Sequence, residues 1–140
     1  MRLVLDTNVI VTAMRSPKGA SAALLMVARR DKIKILANVA LALEYEATCH
    51  RAEHGVAAGL RPAQVSAFVD AVIAMAEPVE THFLWRPQLR DPADEMVLEA
   101  AANGQASAIV TFNRQDYGSV PLQFGIEVLS PVDVLRRIKP

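Results

Sequence analysis

Cysteine is nearly absent: Cys49 stands alone among 140 residues. One thiol cannot build an intramolecular disulfide framework, and a lone Cys fits a reducing compartment. Net charge is absent too, since fifteen Lys and Arg balance fifteen Asp and Glu. That balance argues neither for nor against a nucleic-acid partner, because a patch can hide in a neutral total. No apolar run approaches the roughly 20 residues that span a bilayer. The opening MRLVLDTN is charged too early for a signal peptide. Internal repeats, low-complexity tracts and Gly/Ser linkers are missing as well. These absences leave the expectation of a cytoplasmic protein with no membrane segment. Its apolar fraction of 52% and charged fraction of 21% suit one globular domain over residues 1–140.

Short apolar runs alternate with helical ones. Strands are expected at LVL (3–5), IKIL (33–36), SAIVTF (107–112) and IEVLSP (126–131), with VETHFLW either strand or loop. Helical patterns cover SAALLMVARR, then ANVALALEYEATCHRAEHG with Gly55 as its stop, then RPAQVSAFVDAVIAMAEP. In RDPADEMVLEAAANG, Asp91 suits the N-cap, Pro92 the first position and Gly104 the stop. VDVLRRI closes the chain as a last short helix. Strands alternating with helices imply an α/β fold with a mostly parallel sheet covered on both faces. Ligands of such sheets sit at the carboxyl ends of the strands.

Several acids stand where that edge should be. Asp6 follows the first strand directly, although a buried unpaired carboxylate is costly; it or Asn8 can equally cap the next helix. Glu44 lies beside the inward stripe of Leu41, Tyr45, Thr48 and Ala52, or else on a solvated flank. Asp94 continues the buried stripe of Val97, Leu98 and Ala101 toward the helix start, with Glu95 and Glu99 facing out, or it only complements the helix dipole. Asn113 and Asp116 follow the strand SAIVTF, and Asp116 can also open a turn with Tyr117 and Gly118. Acids gathered at one edge repel unless a cation neutralises them. Hard oxygen donors without Cys or His suit Mg²⁺ or Mn²⁺.

LVLDTNV, LEYEAT, RDPADEMVLEAA and AIVTFNRQDYG, in this order and spacing, resemble a PIN-domain ribonuclease of the bacterial toxin-antitoxin (VapC-like) type over nearly the whole chain. The resemblance implies a three-layer α/β/α fold and Mg²⁺- or Mn²⁺-dependent RNA cleavage leaving a 5′-phosphate and a 3′-hydroxyl. It also implies an antitoxin partner and a homodimer. Asp6, Glu44 and Asp94 match the family's first three acids, and Asn8 and Thr111 match polar residues that line its site. Many members carry Asp where Asn113 stands; others follow a Thr-x-Asn-x-x-Asp pattern, as here, in which Asp116 serves. Two other readings remain open. One is a PIN scaffold that binds RNA or protein without cutting. The other is a haloacid dehalogenase-type phosphatase, although that family wants an acid where Asn8 stands.

Other signals are weaker. His50 and His54 have the i, i+4 spacing of a helical metal pair beside Cys49, but without HExxH context or a further ligand. Phe83, Trp85, Arg86 and Arg90 mix aromatic and basic character suited to single-stranded RNA or, for Trp85, to a core or dimer contact. Arg15 and Lys18 can meet phosphate or serve as surface charges. Met14, Met26, Met75 and Met96 need only fill the core.

Overall fold

The computed structural model describes residues 1–82 and 89–138. Its strands are β1 (Arg2–Leu5), β2 (Lys34–Ala37), β3 (Glu77–Pro78), β4 (Ala108–Val110) and β5 (Glu127–Leu129). The helices are α1 (Thr7–Arg15), α2 (Ala20–Arg29), α3 (Val39–Cys49), α4 (Ala52–Ala58), α5 (Pro62–Met75), α6 (Pro92–Asn103) and α7 (Pro131–Ile138). The sheet runs β3-β2-β1-β4-β5, and every pairing is parallel. Helices flank it in the expected three-layer α/β/α arrangement. Leu3, Val4, Leu5, Ile109 and Val110 are fully buried, as strands covered on both faces require. Among the described residues, no single helix is long and apolar enough to cross a membrane.

The order of the strands places the site. From β1 the chain steps outward to β2 and β3, then returns to the other side of β1 for β4 and β5. The reversal falls between β1 and β4, so a crevice opens beyond their carboxyl ends. Two backbone bonds extend the ladders to that edge: Asp6 N–H to the Val110 carbonyl and Thr111 N–H to the Leu129 carbonyl, both at 2.9 Å.

The helix signals hold where capping chemistry is explicit. Asp91 caps α6 through a bond from the Ala93 N–H, Pro92 takes the first position, and Gly104 follows the last turn. Elsewhere the structure corrects the sequence. The run through residues 37–55 is two helices, broken at His50–Arg51, and Gly55 lies inside α4. The stop is Gly59, left-handed at φ 69°, with the Leu60 N–H reaching back to the Gly55 carbonyl at 3.0 Å. Once Cys49 is sunk into the core, the chain must turn to bring α4 back along α1. The edge strand is Glu77–Pro78, just before VETHFLW, whose residues 83–85 lie outside the described residues. Met26 is not core but 47% exposed.

Gly104 has no spare volume. An added Cβ would sit 2.9 Å from the Ala100 carbonyl oxygen, 2.9 Å from Val79 Cγ2 and 3.0 Å from Leu36 Cδ1. The Arg2 guanidinium also donates to the Gly104 carbonyl at 3.0 Å and pairs with Glu77 at 2.7 Å, tying α6 to two strands. Gly104→Ala is therefore expected to cost about 1–3 kcal/mol, measured as a lower urea midpoint with unchanged slope.

Candidate active site

Asp6 is set by local chemistry on both sides. Its extended backbone caps α1, and its Oδ1 accepts the Thr7 N–H at 2.8 Å. Its Oδ2 accepts the Thr111 hydroxyl at 2.8 Å and the Tyr117 hydroxyl at 3.1 Å. The Thr111 hydroxyl has one proton and gives it to Asp6. It therefore accepts the Asn8 amide N–H at 3.4 Å and the Asn113 backbone N–H at 3.0 Å. This orients the Asn8 amide and leaves its buried Oδ1 without a donor. Despite its three hydrogen bonds, burial holds the Asp6 carboxyl above the ordinary carboxylate range, and the Asp116 charge adds to this.

Asp94, in the first turn of α6, is half-buried in the same crevice. Its carboxyl is pushed up to about 6, first by burial, then by the charges of Asp6, Asp91 and Asp116. The Tyr117 hydroxyl, whose one proton goes to Asp6, also feels the Asp94 charge. Both carboxylates thus stand where their charges are disfavoured. Tyr117 itself is 1% exposed, and burial beside these carboxylates drives its hydroxyl far above its ordinary value. Sequence reasoning treated Tyr117 only as a turn residue. An aromatic hydroxyl one residue after an acid was the available signal.

Asp116 lies on the exposed short 3-10 turn Arg114–Asp116, lining a hollow of about 540 Å³ with Arg90, Asp91, Asp94 and Tyr117. Arg114 anchors that turn to Asp133 of α7, and Asp133 also accepts the Ser130 N–H at 3.1 Å. Asn113 is exposed and enters only through its backbone bond to Thr111.

Glu44 lines a neighbouring hollow together with Asn8 and Thr12. Its Oε1 accepts the Thr48 hydroxyl at 3.2 Å. Among the described residues, no three His, Cys, Asp or Glu side chains stand close enough to hold a metal ion as they are. The chemistry of the donors nevertheless fits a hard divalent cation. All are oxygens, two carboxylates are destabilised as anions, and the Asn8 Oδ1 remains free to accept from a hydrated ion.

One expectation fails beside the site. Glu95 and Glu99 do not face out; each is 5% exposed. The Leu89 N–H donates to the Glu95 carboxylate on that side of the helix. Cys49, His50 and His54 form no metal set. Cys49 is buried, His50 contacts Ser66 at 3.1 Å and His54 contacts Arg15 at 3.4 Å. Phe83, Trp85 and Arg86 lie outside the described residues.

A family model described as PIN domain matches residues 2–115. The chain belongs to the PIN domain family. Members of this family are generally nucleases, which sets the phosphatase reading aside. No curated protein matches the chain. Among solved structures, a chain in the structure of VapBC2 from Rickettsia felis bound to a DNA fragment from their promoter is similar at a TM-score of 0.62 and 16% identity. The match covers 93% of this PIN domain and 98% of that chain. At that identity the likeness concerns the fold. The family match takes in Asp6, Glu44, Asp94 and Asn113 and ends one residue before Asp116.

The Asp94 shift has a measurable consequence. A carboxyl raised in the folded state binds its proton more tightly there than in the unfolded chain. Its stabilising effect is full below the ordinary value of 3.8 and is lost as pH rises through about 6. In EDTA, the thermal midpoint of this PIN domain is expected to fall across that interval. Asp94→Asn should flatten the fall. An equally steep profile in the variant would place the titration elsewhere.

Proposed function

We propose that this PIN domain is a Mg²⁺- or Mn²⁺-dependent endoribonuclease, the toxin of a toxin-antitoxin pair. It would act in the cytoplasm on RNA, dimerise, and be silenced by an antitoxin protein. The observation that carries the nuclease reading is the pair of carboxylates Asp6 and Asp94, both disfavoured as anions, at the switch point of the sheet. Asp6, Asp94 and Asp116 would hold the cation, with Glu44, whose Oε1 accepts from Thr48, offering its other oxygen beside them. When bound, the cation supplies an activated water and charge stabilisation at the phosphodiester. The chain's own contribution is orientation. Thr111 and Tyr117 fix the Asp6 carboxylate, Asn8 and the Asn113 backbone fix Thr111, and burial keeps bulk water from Asp6.

The test is cleavage of a single-stranded RNA with added Mn²⁺ against EDTA. Mn²⁺ should also raise the thermal midpoint by binding the native state, and Asp6→Asn should reduce that gain. RNA binding without cleavage or metal stabilisation would favour the non-cutting scaffold, a reading to which the Thr48-held Glu44 and uncharged Asn113 lend support. The toxin assignment is tested separately. Expression of the chain alone should arrest growth, and a cognate inhibitor should place a basic side chain, such as Arg, against the carboxylates. Harmless overexpression of active protein would leave a general nuclease.

A further inference from the structure

We propose that the hollow beside the candidate active site seats the phosphate of a nucleotide flanking the one that is cut, with Arg51 as its main contact. This rests on the ribonuclease reading above and extends it to a neighbouring subsite.

The hollow holds about 280 Å³ and is lined by Thr7, Asn8, Thr12, Glu44, Arg51 and His54 among others. It is contiguous with the candidate active site, because Thr7 donates its N–H to Asp6 and Asn8 bonds to Thr111. A strand laid across Asp6 must therefore pass it on one side. Arg51 is exposed, and among the described residues it forms no ion pair. Its backbone caps α4, but its side chain makes no capping bond. The guanidinium is thus free to meet a ligand.

His54 is prepared by Arg15. The Arg15 Nη1 approaches His54 Nδ1 at 3.4 Å. A guanidinium only donates, so Nδ1 accepts and Nε2–H is left as the ring's donor. One guanidinium, Arg51, and the imidazole of His54, itself backed by Arg15, thus line a hollow that contains one carboxylate. Glu44 is held by Thr48, so an anion seats toward Arg51 and His54 and away from Glu44. Arg51 offers the fork that suits phosphate oxygens. The break between α3 and α4 is what brings Arg51 and His54 to the hollow; a helix continued past Cys49 would not turn there.

The experiment measures binding of a fluorescein-labelled single-stranded RNA to the full chain in EDTA, by anisotropy across a salt titration. Arg51→Gln is expected to weaken binding and to reduce the slope of log affinity against log salt by about 0.7, the single-strand value for one phosphate. Arg51→Lys should keep the slope, because the charge remains. Arg29→Gln, on an apolar groove elsewhere, should change neither. With Mn²⁺, Arg51→Gln should raise KM with kcat retained. Matching thermal midpoints of wild type and variant exclude misfolding as the cause. An unchanged affinity and slope in Arg51→Gln overturns the proposal even if the wild type cleaves RNA, and leaves Arg51 for a protein partner. A wild type that binds no RNA overturns it too. A reduced slope with no wild-type cleavage keeps the phosphate subsite and removes the ribonuclease reading.

Discussion

Asp6→Asn is expected to lower RNA cleavage by on the order of a thousandfold or more while leaving the fold within about 1 kcal/mol of wild type. The two effects separate because Asp6 has two duties. As a cap it needs only an acceptor for the Thr7 N–H, and an amide oxygen at Oδ1 provides one. As the centre of the acid group it needs charge, which an amide lacks. At Oδ2 the substitution places an N–H₂ against the Thr111 and Tyr117 hydroxyls. Tyr117 can turn its hydroxyl to accept from the new amide N–H₂. Thr111 is more constrained, since it already accepts from Asn8 and Asn113. The lost bond is offset by removal of a buried charge whose proton affinity burial has already raised. Asp6→Ala is the contrasting variant: it removes the cap and strands both hydroxyls, and should cost about 1–3 kcal/mol as well as activity. Chemical denaturation beside a cleavage assay distinguishes the two. Normal cleavage by Asp6→Asn would remove Asp6 from the metal site.

The sheet and its functional edge were legible because they rest on short-range rules. LVL ending in Asp6 and SAIVTF followed by Asn113 each show a buried strand meeting polar residues. Asp91, Pro92 and Gly104 mark α6 through capping chemistry that needs no tertiary knowledge. The break after Cys49 was not legible, because CHRAEHG carries no Pro and its Gly55 is helical. Docking of α4 along α1 decides it, and local propensity does not see that. Glu95 and Glu99 misled for the same reason. A helical wheel gives a face but not the neighbours that cover it, as Leu89 does at Glu95. Tyr117 was missed because its role depends on donating to Asp6, far away in sequence. Glu44 sat on the expected helix, but its carboxylate bonds the nearby Thr48, an i, i+4 partner on the same helix.

The fourth acid decides whether the site holds enough charge for its task. Asp116 is expected to supply it. Asp116→Asn should lower cleavage by orders of magnitude, on the scale of about 100- to 1,000-fold. Its stability should be unchanged or slightly higher. The reason lies in the electrostatics: the Asp116 charge raises the proton affinity of both Asp6 and Asp94, so it stands within reach of both carboxylates and repels them in the metal-free protein. Removing that repulsion relaxes the fold and weakens its hold on a cation. Asn113 is different in kind. It reaches the group through its backbone N–H on Thr111, which any residue but proline supplies. Asn113→Ala should therefore cut RNA at near the wild-type rate, and Asn113→Asp should at most alter the preference between Mg²⁺ and Mn²⁺. Melting curves with and without Mn²⁺ provide a second readout: Asp116→Asn should lose much of the metal-induced rise, and Asn113→Ala should retain it. The reverse pattern, a competent Asp116→Asn and a dead Asn113→Ala, would make Asp116 a turn residue and leave the site with an amide in the fourth place.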